Sequence, residues 1–195
     1  MSRRHAGIGV LAILAVVIAA SAAQLAMGSV APDFKLYDLS GTLHKLSNHK
    51  GQAKAIVLIW FGSQCPVCHN YEQRVQALRN DFAGKGVVLY AINSNAGESA
   101  DAIRAHQRAA NLTFTVLKDH HNTVADSYHA VATPEAFVLD TDLRLRYWGA
   151  IDNSSKPDKV DPNKRYLRSA ISAVLAGRKP SPERVQGEGC AIERE

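Results

Sequence analysis

The sequence predicts an α/β fold, with a central mixed sheet, helices on both faces and an N-terminal β-hairpin. Three observations carry this. Ala55–Phe61, Val87–Ile92 and Ala136–Leu139 are continuous apolar runs, as in strands buried on both faces. Segments with helical apolar spacing lie between them, and strands alternating with helices build a sheet covered on both sides. Leu143, Leu145 and Tyr147 alternate with Arg144 and Arg146, as in a half-exposed antiparallel strand beside the last buried one. The 195 residues are 46% hydrophobic and 21% charged, which suffices for one full domain and excludes wholesale disorder.

In chain order, Asp33–Tyr37 and Thr42–Leu46 flank the turn Asp38-Leu39-Ser40-Gly41 and form the hairpin. After the strand Ala55–Phe61 comes Gly62-Ser63-Gln64-Cys65-Pro66-Val67-Cys68-His69. Val67, Tyr71, Val75, Leu78 and Phe82 then mark one amphipathic helix, stopped by Gly84-Lys85-Gly86. Val87–Ile92 is the second buried strand. Glu98–Ala110 reads as a helix with Ile103 and a line of alanines as its apolar side, and Phe114–Leu117 as a short strand. Thr123 is placed to cap a helix running to about His129. Thr133-Pro134 precedes the third buried strand, and Asp161-Pro162 starts a helix whose apolar face is Tyr166, Leu167, Ala170, Ile171, Val174 and Leu175.

Three domains of sequence follow from this. Residues 1–23 carry a short basic start, Arg3 and Arg4, then an uncharged apolar run from Ala6 to Ala23. That pattern is a secretory signal, cleaved near Ala22 or Ala23, or a retained membrane anchor. Either way Arg3 and Arg4 favour the cytoplasmic side, so the rest is expected outside the cytoplasm, in a bacterial periplasm or on the outer face of the membrane. Residues 24–177 are the folded domain. Residues 178–195, with Pro180, Pro182, Gly187 and Gly189, read as a flexible C-terminal tail. The formal net charge is +5, but the leader holds two arginines and no acid, leaving 21 basic against 18 acidic groups. Those charges are scattered and no nucleic-acid motif is present, so no nucleic acid is expected as partner.

The chemistry-bearing residues are three cysteines. Cys65 falls just before a helix with Pro66 at its first position. Free helix N–H groups there favour the thiolate, and cysteines so placed have pKa values of roughly 3.5–7.5. Cys68 lies one turn on, placed to resolve a mixed disulfide. Pro134 before a buried strand is no routine ladder residue. A cis Thr133-Pro134 peptide would turn the Thr133 backbone toward the thiols and offer it to a substrate chain. Cys190, in the tail, is a possible third redox thiol. Glu72, four residues after Cys68, is a candidate proton acceptor for it or a plain solvated charge. Trp60 and Phe61 are expected in the core and the site wall.

The chain resembles the thioredoxin-like superfamily, and specifically its redoxin or peroxiredoxin-like branch, the alkyl hydroperoxide reductase/thiol-specific antioxidant type. The residues carrying the resemblance are Cys65-Pro66-Val67-Cys68, His69-Asn70-Tyr71-Glu72-Gln73-Arg74, Ala91–Asn95, Thr133-Pro134-Glu135, Tyr147–Asp152 and Gly189–Ile192, so it spans about residues 30 to 193. It implies a thioredoxin fold and thiol redox chemistry with Cys65 as the attacking thiol, acting on protein disulfides or dithiols and supplied by a membrane or periplasmic electron donor. No cofactor is implied. Peroxiredoxins carry Pro-x3-Thr/Ser-x2-Cys, and the corresponding positions here are Leu58 and Gly62, which argues against efficient peroxidase chemistry. Thioredoxin's buried acid would fall at Ile59.

Three other readings are weighed. A peroxiredoxin-like antioxidant would oxidise Cys65 to a sulfenic acid, resolved by Cys68 or Cys190. A copper-binding thioredoxin-like chaperone would use the two thiolates with His69, His120 or His121. Cys65-x-x-Cys68-His69 also spells a c-type haem attachment motif, but its position between a buried strand and a helix argues against haem. His69 is expected either to tune the thiol or to stand as an exposed helix residue.

Overall fold

The computed structural model describes residues 25–195, so the expected leader lies outside the described residues. The first hairpin is built by Asp38, whose carboxylate accepts from the backbone N–H of Ser40 (2.8 Å) and of Thr42 (2.9 Å). It joins β1 (Lys35–Asp38) to β2 (Leu43–Lys45). β3 (Ala55–Trp60) follows, then α1 (Pro66–His69), α2 (Glu72–Asp81), β4 (Val87–Asn93), α3 (Ala100–Ala109) and β5 (Thr115–Lys118). The second half contains α4 (Thr123–Tyr128), β6 (Ala132–Thr133), β7 (Glu135–Asp140), β8 (Leu145–Gly149), α5 (Tyr166–Leu175), β9 (Arg184–Val185) and β10 (Cys190–Ala191).

Eight strands form one mixed sheet in the order β2-β1-β5-β4-β3-β7-β8-β9. β3 is parallel to β4 and antiparallel to β7, and all six of its residues are buried. Strand periodicity sorts them between two cores. Ala55, Val57 and Ile59 pack with Val75 and Leu78 of α2 and with Leu167 and Ile171 of α5. Ile56, Leu58 and Trp60 pack with Leu46 and with Val124 and Tyr128 of α4. Each large side chain so buried contributes about 1.5–3 kcal/mol. The sheet therefore presents the loop after β3 at one fixed end of a two-sided core. Among the described residues, no helix is long and apolar enough to cross a membrane.

Three local differences from the sequence reading have physical causes. The single helix expected from Val67 breaks at Asn70–Tyr71, where the Asn70 carbonyl accepts from the Arg74 guanidinium at 2.9 Å. The N-cap position of α4 is Asn122, not Thr123, and the bonds to the open helix end come from Asp119. Its carboxylate accepts from the N–H of Val124 (3.1 Å) and Ala125 (2.9 Å), satisfying donors a helix start leaves open. Asp161-Pro162 opens a single 3-10 turn, and α5 begins only at Tyr166.

Residues 178–195 do not stand off the domain as a tail. β9 pairs with β8, β10 pairs with β6, and Ile192 is buried in the second core. The glycines read as loosening the chain are close-approach positions instead. A Cβ on Gly187 would sit 3.2 Å from Ala150, and one on Gly189 would sit 2.7 Å from the Thr133 carbonyl oxygen.

Candidate active site

The loop leaving β3 delivers Cys65 to the start of α1. Cys65 has extended backbone angles, Pro66 takes the first helical position, and the Cys65 sulfur accepts the Cys68 N–H at 3.4 Å. Cys68 is fully buried one turn further on. From the other side, the Thr133-Pro134 peptide is cis, and β6 brings the Thr133 carbonyl 3.2 Å from Cys65 Sγ. The Thr133 hydroxyl is buried beside both thiols. The third cysteine completes the group, with Cys190 Sγ 2.6 Å from Cys65 Sγ. All three are free thiols.

The surroundings push these thiols apart in acidity. Hydrogen bonding from the Cys68 side chain is the largest influence on Cys65. With Cys190 and Thr133 it outweighs burial and brings the Cys65 pKa down to about 4. Burial, together with the hydrogen bond and charge of Cys65, drives the Cys68 pKa far up. Burial and Cys65 also raise Cys190. The arrangement holds one ready thiolate, Cys65, and one buried thiol behind it.

The loop that carries Cys65 rests on a carboxylate. Glu98 is 2% exposed. Its Oε2 accepts the Ser63 N–H (2.7 Å), the Ser63 hydroxyl and Asn93 Nδ2 (2.9 Å), while Oε1 accepts Asn95 Nδ2 (2.6 Å) and the Gln64 N–H (3.3 Å). Lys118 Nζ donates to Asn93 Oδ1 (3.0 Å) and to the Asn95 carbonyl (2.7 Å). Sequence reading placed Glu98 on the apolar-faced helix and missed this role. The available signal was Asn93-Ser94-Asn95, polar residues closing a buried strand.

Glu72 opens α2, beyond the break that separates it from Cys68 in α1; its carboxylate accepts from His106 Nε2 at 2.6 Å, and no hydrogen bond joins it to Cys68. His69 bonds the Ser63 carbonyl at 2.7 Å and stacks on His106. His69, Glu72 and His106 have ligand atoms within 4.8 Å of one another, and that cluster includes no cysteine. His121 pairs with Glu195, on the α4 side, so neither it nor His120 joins the thiols in a ligand group among the described residues. Trp60 is in the core, with Nε1 donating to Ser94. Phe61 packs among the residues around Cys65 and Cys68.

A family model described as the AhpC/TSA family matches residues 27–148, more than half of the chain and all of the Cys65–Thr133 framework. The chain belongs to the AhpC/TSA family. Thiol-disulfide oxidoreductase ResA of Geobacillus kaustophilus is 31% identical over 116 residues, 60% of this chain and 64% of that protein. The chain thus matches just under two thirds of the length of that relative. A hypothetical protein from Sinorhizobium meliloti is 30% identical in sequence, with a TM-score of 0.81 over 89% of this chain and 97% of its own. The thioredoxin domain of a thiol-disulfide oxidoreductase from Bacteroides vulgatus, at 22% identity and a TM-score of 0.54 over 63% of this chain and 86% of its own, shares the thioredoxin-like fold.

Within the AhpC/TSA framework the structure gives Gly62 a physical reason. A Cβ there would lie 2.6 Å from Asn95 Nδ2, 3.1 Å from Glu98 Oε1 and 3.2 Å from Cys65 Cβ. The space where the peroxiredoxin pattern carries a Thr or Ser hydroxyl is filled here by the carboxylate–amide support. The family match ends before α5, β9 and β10, so Cys190 lies outside it.

Proposed function

We propose that this protein is an exported thiol–disulfide oxidoreductase acting on protein disulfides through Cys65 and Cys68. The observation that carries the reading is the Cys65 sulfur at the start of α1, accepting the Cys68 N–H at 3.4 Å and lying 3.2 Å from the Thr133 carbonyl oxygen. The Cys65 thiolate attacks a substrate disulfide, forming a mixed disulfide and releasing one substrate thiolate. The Cys65 charge that kept Cys68 protonated is then gone. Cys68 attacks Cys65 Sγ, its proton passes to the departing second substrate thiolate, and a Cys65–Cys68 disulfide remains. Two electrons have moved from enzyme to substrate, and a dithiol donor at the membrane or in the periplasm restores them. Glu72, occupied by His106, takes no part in this step.

Thr133 and Pro134 shape the substrate contact beside Cys65; a cavity lined by Pro134, Val131, Ala132, Trp148 and residues 184–187 includes none of the cysteines. The ResA relative supports the reaction class, and the basic start with its apolar run supports export. In an insulin-reduction assay with dithiothreitol as donor, C65S abolishes turnover and C68S accumulates a mixed disulfide. Full activity in C65S overturns the reading. A peroxide-consumption assay on the same protein measures the antioxidant alternative, which the filled space at Gly62 disfavours. Copper retention after dialysis of the reduced protein measures the chaperone alternative. Fractionation of cells producing the full chain tests export.

A further inference from the structure

Resting on the thiol–disulfide reading above, we propose that the C-terminal segment 188–193 is an internal substrate strand. It occupies the place along β6 that a protein substrate takes, and Cys190 exchanges disulfides with Cys65. The segment is an antiparallel partner of β6, with Cys190 opposite Thr133 and Ala191 opposite Ala132. This register aims the Cys190 sulfur at the nucleophile, 2.6 Å away, where a substrate sulfur has to stand for attack. Gly189 is required for the approach, because a Cβ there would meet the Thr133 oxygen at 2.7 Å.

The segment is anchored on the far side of the cysteine. The Ile192 N–H donates to the Val131 carbonyl at 3.0 Å, and its side chain is 5% exposed. The Glu193 N–H donates to Asn95 Oδ1 (3.0 Å), and its carbonyl accepts from Asn122 Nδ2 and the Ala96 N–H (both 3.1 Å). Asn95 also donates to Glu98, so one amide links the docked strand to the support of the Cys65 loop. Anchoring alone would fasten a chain end. It does not require a thiol in the substrate position.

The exchange balances without an added oxidant. In the oxidised enzyme the Cys190 thiolate attacks Cys65 Sγ, the Cys65–Cys190 bond forms and the Cys65–Cys68 bond breaks. Cys68 leaves and takes up a proton in place of the one Cys190 lost. No net electrons move, and the disulfide is transferred from a buried partner to one at the surface, where a donor dithiol reaches it. The same geometry describes the substrate class: an extended segment pairing antiparallel to Thr133, with glycine or another small residue before its cysteine.

The test uses the full chain, oxidised with a stoichiometric amount of diamide, quenched in acid, alkylated and mapped by mass spectrometry. A Cys65–Cys190 peptide pair is expected in the wild type and falls in G189V, which keeps the thiol and blocks the approach. A wild type holding only Cys65–Cys68, or an unchanged map in G189V, overturns the proposal. With the strand in the groove in about nine of ten molecules, displacing it in G189V lowers the apparent KM for insulin about tenfold, and an unchanged KM in G189V counts against it. Loss of insulin reduction in wild type and C190S alike defeats the oxidoreductase reading, while the disulfide map still decides the role of Cys190.

Discussion

Replacing Glu98 by glutamine tests whether a buried carboxylate holds the nucleophile's loop. The carboxylate takes five hydrogen bonds, three on Oε2 and two on Oε1, all from donors. A carboxamide turns one oxygen into a donor. If the –NH2 takes the Oε1 side, it faces the Gln64 N–H and the Asn95 amide, and both bonds are lost. Hydrogen bonds to a charged group are worth about 1.5–3 kcal/mol each, partly offset by the cheaper burial of a neutral group, so E98Q costs about 2–4 kcal/mol. For a domain of this size that lowers Tm by about 5–15 °C, measured by circular dichroism at pH 7. Burial raises the Glu98 pKa, but the bonds from Asn95, Ser63 and Asn93 outweigh it and leave the carboxyl below its ordinary value. Its contribution is therefore complete above the unfolded carboxylate pKa, about 4.3, and is lost as pH falls through the lower folded value. The stability gap between wild type and E98Q is full at neutral pH and closes only in acid. A loss below about 0.5 kcal/mol at pH 7, or a gap that persists unchanged at the acid end, refutes the reasoning.

Alkylation of Cys65 by iodoacetamide, read site by site, rises through about pH 4 and is flat above it, whereas an ordinary thiol keeps rising to about pH 8.5. In C68A the midpoint moves up, because the Cys68 side chain is the largest contributor to the low value; an unmoved midpoint contradicts this. G62A has to displace Asn95 and Glu98; it slows insulin reduction and lowers Tm, and wild-type values for both would show the contacts to be unimportant. Arg74 joins Asp152 at 2.5 Å and also bonds the carbonyls of Asn70, Ser154 and Ser155. R74A leaves Asp152 buried and unpaired and costs about 3 kcal/mol in denaturant unfolding, part of which returns in the R74A/D152N double variant.

Much of the fold was legible because its signals are local. A run such as Ala55–Trp60 has no polar face to offer water, so it must be buried on both sides, and Asp38 or Pro66 shapes a turn or a helix start through its own backbone neighbours. Cys65, Cys68 and Thr133-Pro134 were legible for the same reason, as a spacing at a strand–helix junction and a proline before a strand. Two features were not. Glu98 looks in sequence like a helix-start acid, and only packing turns it against Ser63, 35 residues earlier. Gly187 and Gly189 look like flexibility, because sequence shows a missing side chain and not the neighbour that needs the space. The sequence by itself determined the strand–helix alternation and the placing of Cys65 and Cys68 at a strand–helix junction. Tertiary structure alone decided that the last eight residues return to the site and set Cys190 against Cys65. That contact spans 125 residues, and no local preference of the chain encodes it.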